Sequence, residues 1–510
     1  MRVYFQENKA TADHGQQSLR SGVVSIASRG INVFIQLAAT LFLARLLSPH
    51  DFGLVAMVTA ITGFAPVLID LGTRDAAVQK SKITEDEVSG LFWLNVGIGA
   101  FFTVLMAACS PLIARFYREP QLLPITLWSS LAFILMAVSC QHHALLRRAM
   151  MFRRIALIEI VASFLGAFVA IAMAFKGAGY WALVVRPLFT AIATALGLWF
   201  SCRWMPGIPK ITAGVKEMLK FGLNVTGFTT ADYVRIAADR VVLGRTRGAM
   251  ELGFYQNALL MYDNLMQVLY VPLHSVATAG LSKLRENVEG LRRAWAKALS
   301  GLCFFAMPAF AILALVGEDL LVILLGQKWQ YTGVLFGVFC LRGVAFIVDR
   351  TQGWLHVAAG RADRWMRWGV ISSIIQLLIL SIAVQWGPMG VAVAYAIAAY
   401  VTLVPTIAYS GAPFGIGPRD VVRVVGPQLI CALAAAAAGY ALKHFFLHDV
   451  GRIARMSVLV PFCGSVYLAL ILGVFRLRQP LEIAISVARN YMPVRVSRFL
   501  GFGLAAASKN

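Results

Sequence analysis

Long uninterrupted apolar runs restrict the fold of this sequence more than any other feature. Examples lie at residues 161–175, 429–442 and 458–475. A helix needs about 20 apolar residues, each rising 1.5 Å, to cross roughly 30 Å of hydrocarbon. Only 14% of the residues are charged, whereas a soluble domain usually carries about 25%. The sequence therefore predicts an all-α polytopic membrane protein.

Counting these runs gives about fourteen transmembrane helices of the length that a bilayer requires. The predicted spans are residues 22–46, 52–71, 90–114, 122–142, 155–175, 179–201, 218–243, 252–280, 298–317, 332–356, 368–386, 389–409, 424–443 and 457–475. The seventh and tenth of these spans carry several charged residues, and the presence of those charges within the membrane needs an explanation.

The net charge of +22 indicates an orientation rather than a nucleic-acid partner, because no soluble basic module is present. With the N-terminus inside, the inner loops and tails hold about 29 Lys and Arg and the outer loops about 8, as the positive-inside rule requires. Both termini are therefore expected in the cytoplasm. The polar N-terminal segment does not resemble a cleavable signal peptide. The seven cysteines lack metal-ligand spacing, so no metal or cofactor is expected.

A short motif occurs twice, 200 residues apart. "LARLLSPHDFG" (43–53) and "LGRTRGAMELG" (243–253) share Leu, Arg, an acidic residue and Gly at equivalent positions. Six predicted spans separate the two copies, and an even number leaves both copies in the same orientation. This pattern predicts a parallel repeat about an axis along the membrane normal. Gly53 and Gly253 would allow the turn between the paired helices to pack tightly.

The repeat divides the chain into predicted parts. Residues 1–203 form an N-lobe of helices 1–6, and residues 218–410 form a C-lobe of helices 7–12. A cytoplasmic linker (204–217) joins them, and helices 13 and 14 (411–476) precede a cytoplasmic tail (477–510). The Pro and Gly residues of the linker favour an irregular connection, which would suit alternating access by rocking lobes.

Several stretches resemble the polysaccharide-exporter branch of the multidrug/oligosaccharidyl-lipid/polysaccharide flippase superfamily. They are "LARLLSPHDFGLVAMV" (43–58), "AAVQKSKITEDEVSGLFWLN" (76–95), "MFRRIALIEIVASFLGAFVAIAMAFKGAGYWALV" (151–184), "ELGFYQNA" (251–258), "AAGRADRW" (358–365) and "GPMGVAVAYAIA" (387–398). The resemblance implies two six-helix lobes arranged in a V, in a bacterial inner membrane. It also implies flipping of undecaprenyl-diphosphate-linked oligosaccharide for exopolysaccharide, capsule or O-antigen synthesis, with polymerase and chain-length proteins as partners.

Span 7 carries Asp232, Arg235 and Asp239 on one helical face. A charge within a span costs about 2.5–3.5 kcal/mol, so each needs a partner or a polar cavity. Asp263 of span 8 could join this group. Two interpretations remain open: an ion-pair cluster that fixes packing, or a cavity face that contacts cargo. Asp232 and Asp239 are also the candidates for coupling to a proton or sodium gradient.

Span 10 carries Arg342, Asp349 and His356 at intervals of seven, with Arg350 beside them. Arginine suits bidentate recognition of phosphate, so Arg342 and Arg350 are candidate cargo-binding residues. The alternative is a packing stripe in which both arginines pair with Asp349 or with an acid on a neighbouring helix.

The N-lobe contributes Arg29 in span 1 and Arg186 in span 6. Either could face the cargo, or extend to the nearer membrane interface. Before span 3, Thr84 and Glu87 have the spacing of a capping box, which predicts a short cytoplasmic helix leading into the span.

Three other functions compete with flipping of polysaccharide precursors. A membrane enzyme would need a catalytic constellation on a loop or soluble domain, and the predicted outer loops are short. A cation-coupled multidrug exporter would favour an acidic lobe with fewer cavity arginines. A lipid II flippase would share the cation-rich cavity, and the fold alone cannot separate it from a polysaccharide exporter.

Overall fold

The computed structural model describes residues 14–80, 82–209 and 213–477, and all regular structure within them is helical. The helices are α1 His14–Leu46, α2 Pro49–Thr62, α3 Ala65–Asp70, α4 Thr73–Gln79, α5 Glu85–Tyr117, α6 Leu122–Arg148, α7 Phe152–Phe175, α8 Trp181–Cys202, α9 Ala213–Lys283, α10 Val288–Leu325, α11 Gln330–Asp349, α12 Gln352–Ala359, α13 Ala362–Ala383, α14 Gly387–Gly411, α15 Pro418–Phe446 and α16 Arg452–Gly473. The all-α membrane fold predicted from the apolar runs is confirmed.

Eleven segments of the described chain are long and apolar enough to span a membrane. The number fourteen is not confirmed by this criterion. One segment, Asp363–Phe414, is 52 residues long and contains both α13 and α14, whereas about 20 residues suffice for one crossing. Helix α9 is not among the eleven, although it is 71 residues long and is interrupted at Gly248.

The helices form two compact units. The first contains residues 1–257 together with the short segments Leu324–Trp329 and Val384–Pro388. The second contains Ala258–Ile323, Gln330–Ala383 and the chain from Met389 onward. The lobe, linker and tail boundaries drawn from the sequence repeat stay predictions.

The second predicted span is not one helix. Between Pro49 and Gln79 the chain forms α2, α3 and α4, and the breaks lie at Gly63–Phe64 and at Leu71–Gly72. Leu71 and Gly72 have φ of 45° and 63°, a left-handed conformation that ends a helix and suits glycine. Breaks of this kind are tolerated within a membrane where neighbouring groups bind the freed backbone atoms.

A buried polar network supplies a hydrogen-bond partner for the backbone beside the break at Leu71–Gly72. Asn95 of α5 donates from Nδ2 to the carbonyl of Ile69 at 2.5 Å, and Gln141 of α6 donates to Thr73 Oγ1 at 3.1 Å and Asn95 Oδ1 at 2.9 Å. Asn95, Thr73 and Gln141 are all fully buried. These residues were not singled out in the sequence, because isolated amides in apolar runs give no spacing signal.

The capping box before α5 is confirmed. Thr84 Oγ1 accepts from the Glu87 amide at 3.3 Å, and Glu87 Oε2 accepts from the Thr84 amide at 3.1 Å. Helix α5 then runs without interruption for 33 residues, so the capped first turn leads directly into the third predicted span (90–114).

We predict that Asn95→Leu destabilises the protein more than Ser110→Ala in the same helix. The first change leaves buried polar groups of Ile69, Thr73 and Gln141 without their partner, which costs about 1–3 kcal/mol per unsatisfied group. Ser110 is also buried but donates only to a carbonyl of its own helix, at Ala107. Thermal unfolding of the two variants in detergent measures the difference, and equal midpoints would contradict the role of the network.

Candidate functional site

The two copies of the repeated motif form helical turns at equivalent positions. Helix α1 ends at Leu46, and Ser48 caps α2 by accepting from the Asp51 amide at 3.2 Å while Asp51 accepts from the Ser48 amide at 2.9 Å. The equivalent of Ser48 is Gly248, whose φ of 82° and ψ of 179° divide α9 into two helices. Ser48 and Gly248 are therefore the residues at which the chain turns, and Gly53 and Gly253 lie in the helices that follow.

Gly53 and Gly253 instead allow the two motifs to touch. A Cβ atom added at Gly53 would overlap the carbonyl oxygen of Ala249, and one added at Gly253 would overlap the carbonyl oxygen of Pro49. Pro49 and Ala249 are themselves equivalent in the repeat, so each copy gives the other the same contact. We call this contact the paired hairpins. All four residues belong to the first unit, and the contact has the exchange symmetry of a two-fold interface.

Flanking contacts repeat on both sides of the paired hairpins. Arg45 donates from Nε to the Leu324 carbonyl at 2.9 Å, and its equivalent Arg245 lies over the Phe116 ring at 5.7 Å. Each of these partners is at or near the end of a spanning helix, α10 or α5. The same two-fold relation therefore extends beyond the glycines to the charged positions of the motif.

The acidic positions of the motif also repeat their surroundings. Asp51 lies beside Gly179, and its equivalent Glu251 lies beside Gly387, so that an added Cβ would meet their carboxylate oxygens at 3.5 Å and 3.1 Å. Both glycines have positive φ. A bulkier residue at either loop would push against the carboxylate.

Trp329 packs against the paired hairpins. Its indole is fully buried, donates to the Ala44 carbonyl at 2.8 Å, and contacts Phe52 and Phe254 edge-on at 5.3 and 6.1 Å. Phe52 belongs to the first copy of the motif and Phe254 follows the second. One side chain therefore contacts the first copy and the residue that directly follows the second.

In the second unit, Arg342 of α11 lies in a cage of aromatic rings. The centres of the Tyr262, Phe346 and Tyr395 rings are 5.8, 4.6 and 5.4 Å from its guanidinium carbon. No carboxylate among the described residues lies within 4.0 Å of this guanidinium, and its buried Nε has no hydrogen-bond partner there. Aromatic faces stabilise a cation by about 0.5–2 kcal/mol without neutralising its charge. Arg342 therefore keeps a positive charge that can bind an anion.

Arg350 stands two helical turns from Arg342 and contacts the same ring. Its guanidinium carbon is 4.6 Å from the centre of Phe346, and its side chain is exposed. Asp349 accepts from Gln352 at 3.2 Å. The packing and cargo interpretations of this stripe both stay predictions, although the described structure contains no ion pair of either arginine with Asp349 within 4.0 Å.

The stripe predicted along span 10 does not continue as one helix. Helix α11 ends at Asp349, and the short α12 begins at Gln352. His356 is buried on α12 and stacks on Trp365 at 6.2 Å. The break separates His356 from the regular spacing that joined it to Arg342 and Asp349 in the sequence.

The charged residues of span 7, and Asp263 of span 8, differ from one another in their surroundings. Asp239 is buried and accepts from Tyr255 Oη at 2.6 Å and from the Arg240 amide at 2.7 Å, while Arg240 Nε is 3.9 Å from its carboxylate. Arg235 is half-buried. The side chain of Asp232 lies outside the described residues. Asp263 belongs to the second unit and is exposed.

The two N-lobe candidates also differ. Arg186 of α8 is half-buried and donates to Thr40 Oγ1 and the Gln36 carbonyl of α1, both at 3.3 Å. Arg29 is exposed on α1. Arg186 is thus bound to a neighbouring helix by neutral groups. Whether these side chains contact cargo stays a prediction.

This fold is that of a helical membrane transporter. A solved structure titled "Lipid II flippase MurJ, inward closed conformation" matches it with a TM-score of 0.68, at 16% identity, over 90% of this chain and 99% of that chain. The chain belongs to the family described as "Polysaccharide biosynthesis protein", whose model matches residues 42–332. The family membership inferred from the sequence motifs is therefore confirmed.

Curated relatives agree with this family. The chain is 27% identical to the lipopolysaccharide biosynthesis protein WzxC of Escherichia coli (strain K12), over 69% of this chain and 72% of the relative. It is 23% identical to the succinoglycan biosynthesis transport protein ExoT of Rhizobium meliloti (strain 1021), over 87% of this chain and 90% of the relative.

We predict that Gly53→Ala and Gly253→Ala lower the unfolding temperature by similar amounts. Each added methyl group would meet a backbone carbonyl that cannot rotate away, and overpacking costs about 1–3 kcal/mol. The two decreases in unfolding temperature should not be additive in the double variant, because both substitutions separate the same two helices.

Gly97→Ala is the matched control for this prediction. Gly97 lies in α5 with no atom within 4 Å of an added Cβ, and alanine is favoured over glycine in a helix by about 1 kcal/mol. A control that is as destabilised as the Gly53 variant would show that close approach is not the cause.

Proposed function

We propose that this protein flips an undecaprenyl-diphosphate-linked oligosaccharide from the cytoplasmic to the periplasmic leaflet of the bacterial inner membrane. The polymer made from this unit would be an exopolysaccharide, a capsule or an O-antigen. The observation that carries the proposal is Arg342, a cation in a membrane helix with an aromatic cage and no carboxylate within 4.0 Å in the described structure. Such a residue is costly in an apolar bundle and is explained by an anionic cargo.

The chemistry of the cargo fits the residues around Arg342. A diphosphate needs cations, and Arg342 and Arg350 both contact Phe346, so two positive charges lie within reach of one binding group. Guanidinium groups bind phosphate oxygens in a bidentate manner. The rings of Tyr262 and Tyr395 would lie beside the first sugars, while the polyprenyl chain could remain in the bilayer.

The mechanism that we propose is alternating access with both termini in the cytoplasm. In this topology the paired hairpins lie at the periplasmic side, where the cargo must leave. Their contact would have to open for release and re-form afterwards. No cofactor is needed in this scheme, and Asp239 and Asp232 remain candidates for coupling to a proton or sodium gradient. Polymerase and chain-length proteins would receive the flipped unit.

A lipid II flippase is the second candidate, favoured by the structural similarity to MurJ. Its cargo would have the same lipid diphosphate and a different sugar-peptide group. The proposed contacts of Arg342 and Arg350 are with the diphosphate, so they do not distinguish the two cargos.

We predict that Arg342→Ala reduces polymer export by about tenfold or more, because a charge-assisted contact is worth roughly 1.5–3 kcal/mol. Arg342→Lys should retain an intermediate level, since lysine keeps the charge without the bidentate geometry. Secreted polymer would be measured by its sugar content in a strain whose own exporter gene is deleted, beside the amount of the variant in the membrane.

Arg293→Ala provides the matched control for this experiment. Arg293 is strongly exposed and pairs only with Glu289 of its own helix turn in the described structure. Normal export by Arg342→Ala would contradict the proposal. If the wild-type protein rescued a lipid II flippase defect but did not restore polymer export, the second candidate would be favoured.

A further inference from the structure

A hydrogen-bonded group of aromatic side chains surrounds His274 of α9 in the second unit. The Trp354 indole of α12 donates from Nε1 to His274 Nδ1 at 2.9 Å. Tyr270, one turn earlier on α9, stacks on the imidazole with ring centres 5.0 Å apart and on Trp354 at 6.0 Å. We call these three side chains the His274 group. The sequence analysis did not predict it, because Trp354 lies 80 residues from His274.

The contact with Trp354 fixes the protonation state of His274. An indole nitrogen can only donate a hydrogen bond, so Nδ1 of His274 accepts and carries no proton. The imidazole is therefore neutral, with its proton on Nε2. Trp354 is fully buried. A proton on Nδ1 would leave this buried indole N–H without its acceptor.

The His274 group is joined to Arg350, one of the two proposed cargo-binding cations. The Tyr270 hydroxyl donates to the Arg350 carbonyl at 3.1 Å, and its oxygen is 2.9 Å from His274 Nδ1. This carbonyl lies in the break between α11 and α12. A protonated Nδ1 could donate to the Tyr270 oxygen while Tyr270 keeps its bond to Arg350. One hydroxyl thus connects the imidazole to the backbone of Arg350 in both protonation states.

Arg350 is the charged residue that acts on His274 among the residues that the structure describes. The other ionisable groups beside the His274 group are Tyr270 itself and Asp349 of α11, and Asp349 accepts from Gln352 at 3.2 Å. A nearby guanidinium opposes a second positive charge on His274, whereas an anion bound to that guanidinium favours it. Protonation of His274 and anion binding at Arg350 therefore favour each other, as linkage between two sites requires.

We propose that His274 takes up a proton when a diphosphate binds at Arg350. This inference rests on the proposed function, because it takes the cargo diphosphate as the anion. The proton comes from solvent and binds the Nδ1 lone pair, and no covalent bond to the cargo forms. In the proposed topology His274 lies towards the cytoplasmic end of predicted span 8 (252–280), on the side where cargo is loaded. Proton uptake would also release the Trp354 indole, so α12 would lose one hydrogen bond to α9.

The test uses the purified full-length protein in detergent, with farnesyl diphosphate as an anionic prenyl probe that carries no sugar. Calorimetric titrations in two buffers of different ionisation enthalpy give the number of protons taken up per probe bound. The wild-type protein should take up roughly half a proton or more near neutral pH, because free imidazole titrates near pH 6.5. His274→Gln should bind the probe without this uptake, since an amide oxygen can accept from Trp354 and does not titrate.

The pH dependence of binding gives a second readout. Between about pH 8 and pH 6, the affinity of the wild-type protein should rise about threefold or more relative to that of His274→Gln. The ionisation of the probe is common to both proteins and cancels in this comparison. Trp354→Phe keeps a ring and removes the indole donor, so the rise in affinity should move to higher pH by roughly half a unit or more.

Two further variants make the outcome decisive. His444→Gln removes an exposed imidazole of α15 and should keep the wild-type uptake. Arg350→Gln should weaken binding of the probe. Equal proton uptake by the wild-type protein and His274→Gln, or an unchanged pH profile in Trp354→Phe, would overturn the proposal and leave the proposed flipping intact. Binding of the probe that does not depend on Arg350 would contradict the proposed cargo site, and this inference with it.

Discussion

The close approach of two helices at Gly53 and Gly253 is the contact on which the first unit depends. Two backbones can come this near only where neither carries a side chain, and each glycine lies against a carbonyl of the opposite copy. The segments Leu324–Trp329 and Val384–Pro388 belong to the same unit because they pack on this contact. Trp329 contacts the first copy and Phe254, the residue after the second copy, and Arg247 donates to the carbonyl of Gln385. A small set of backbone contacts thus brings together segments that are far apart in the sequence.

Charged residues within the spans fall into two classes. Asp239 and Arg186 are bound by Tyr255 and by groups of α1, respectively, so their charges are stabilised by polar contacts within the first unit. Arg342 and Arg350 lie against aromatic rings instead. Rings lower the cost of a cation in a membrane protein and leave its charge available, whereas an ion pair would cancel it. This difference separates charges that are bound by polar groups from cations that lie against aromatic rings.

The sequence predicted the features that depend on period and composition. Apolar run length predicted the spanning helices, the spacing of Thr84 and Glu87 predicted a cap, and the 200-residue repeat predicted two equivalent hairpins. It did not predict contacts that depend on the tertiary path of the chain. Gly53 was expected to allow tight packing at its own hairpin, and the residue against which it packs, Ala249 of the other copy, could not be identified from spacing. Asn95 and Gln141 were missed because the role of an isolated amide in an apolar run is evident only when its hydrogen-bond partners are known.

The paired hairpins have the form of a dimer interface enclosed within one polypeptide. In a true homodimer, any substitution at such an interface appears twice and must suit both copies. Here the two copies are encoded separately and can diverge one at a time. They already have: Ser48 caps its helix with a hydroxyl, whereas the equivalent Gly248 has no side chain and adopts a backbone conformation that few other residues reach. One hairpin turns at a side-chain cap and the other at a glycine, an asymmetry of sequence that two identical subunits could not acquire.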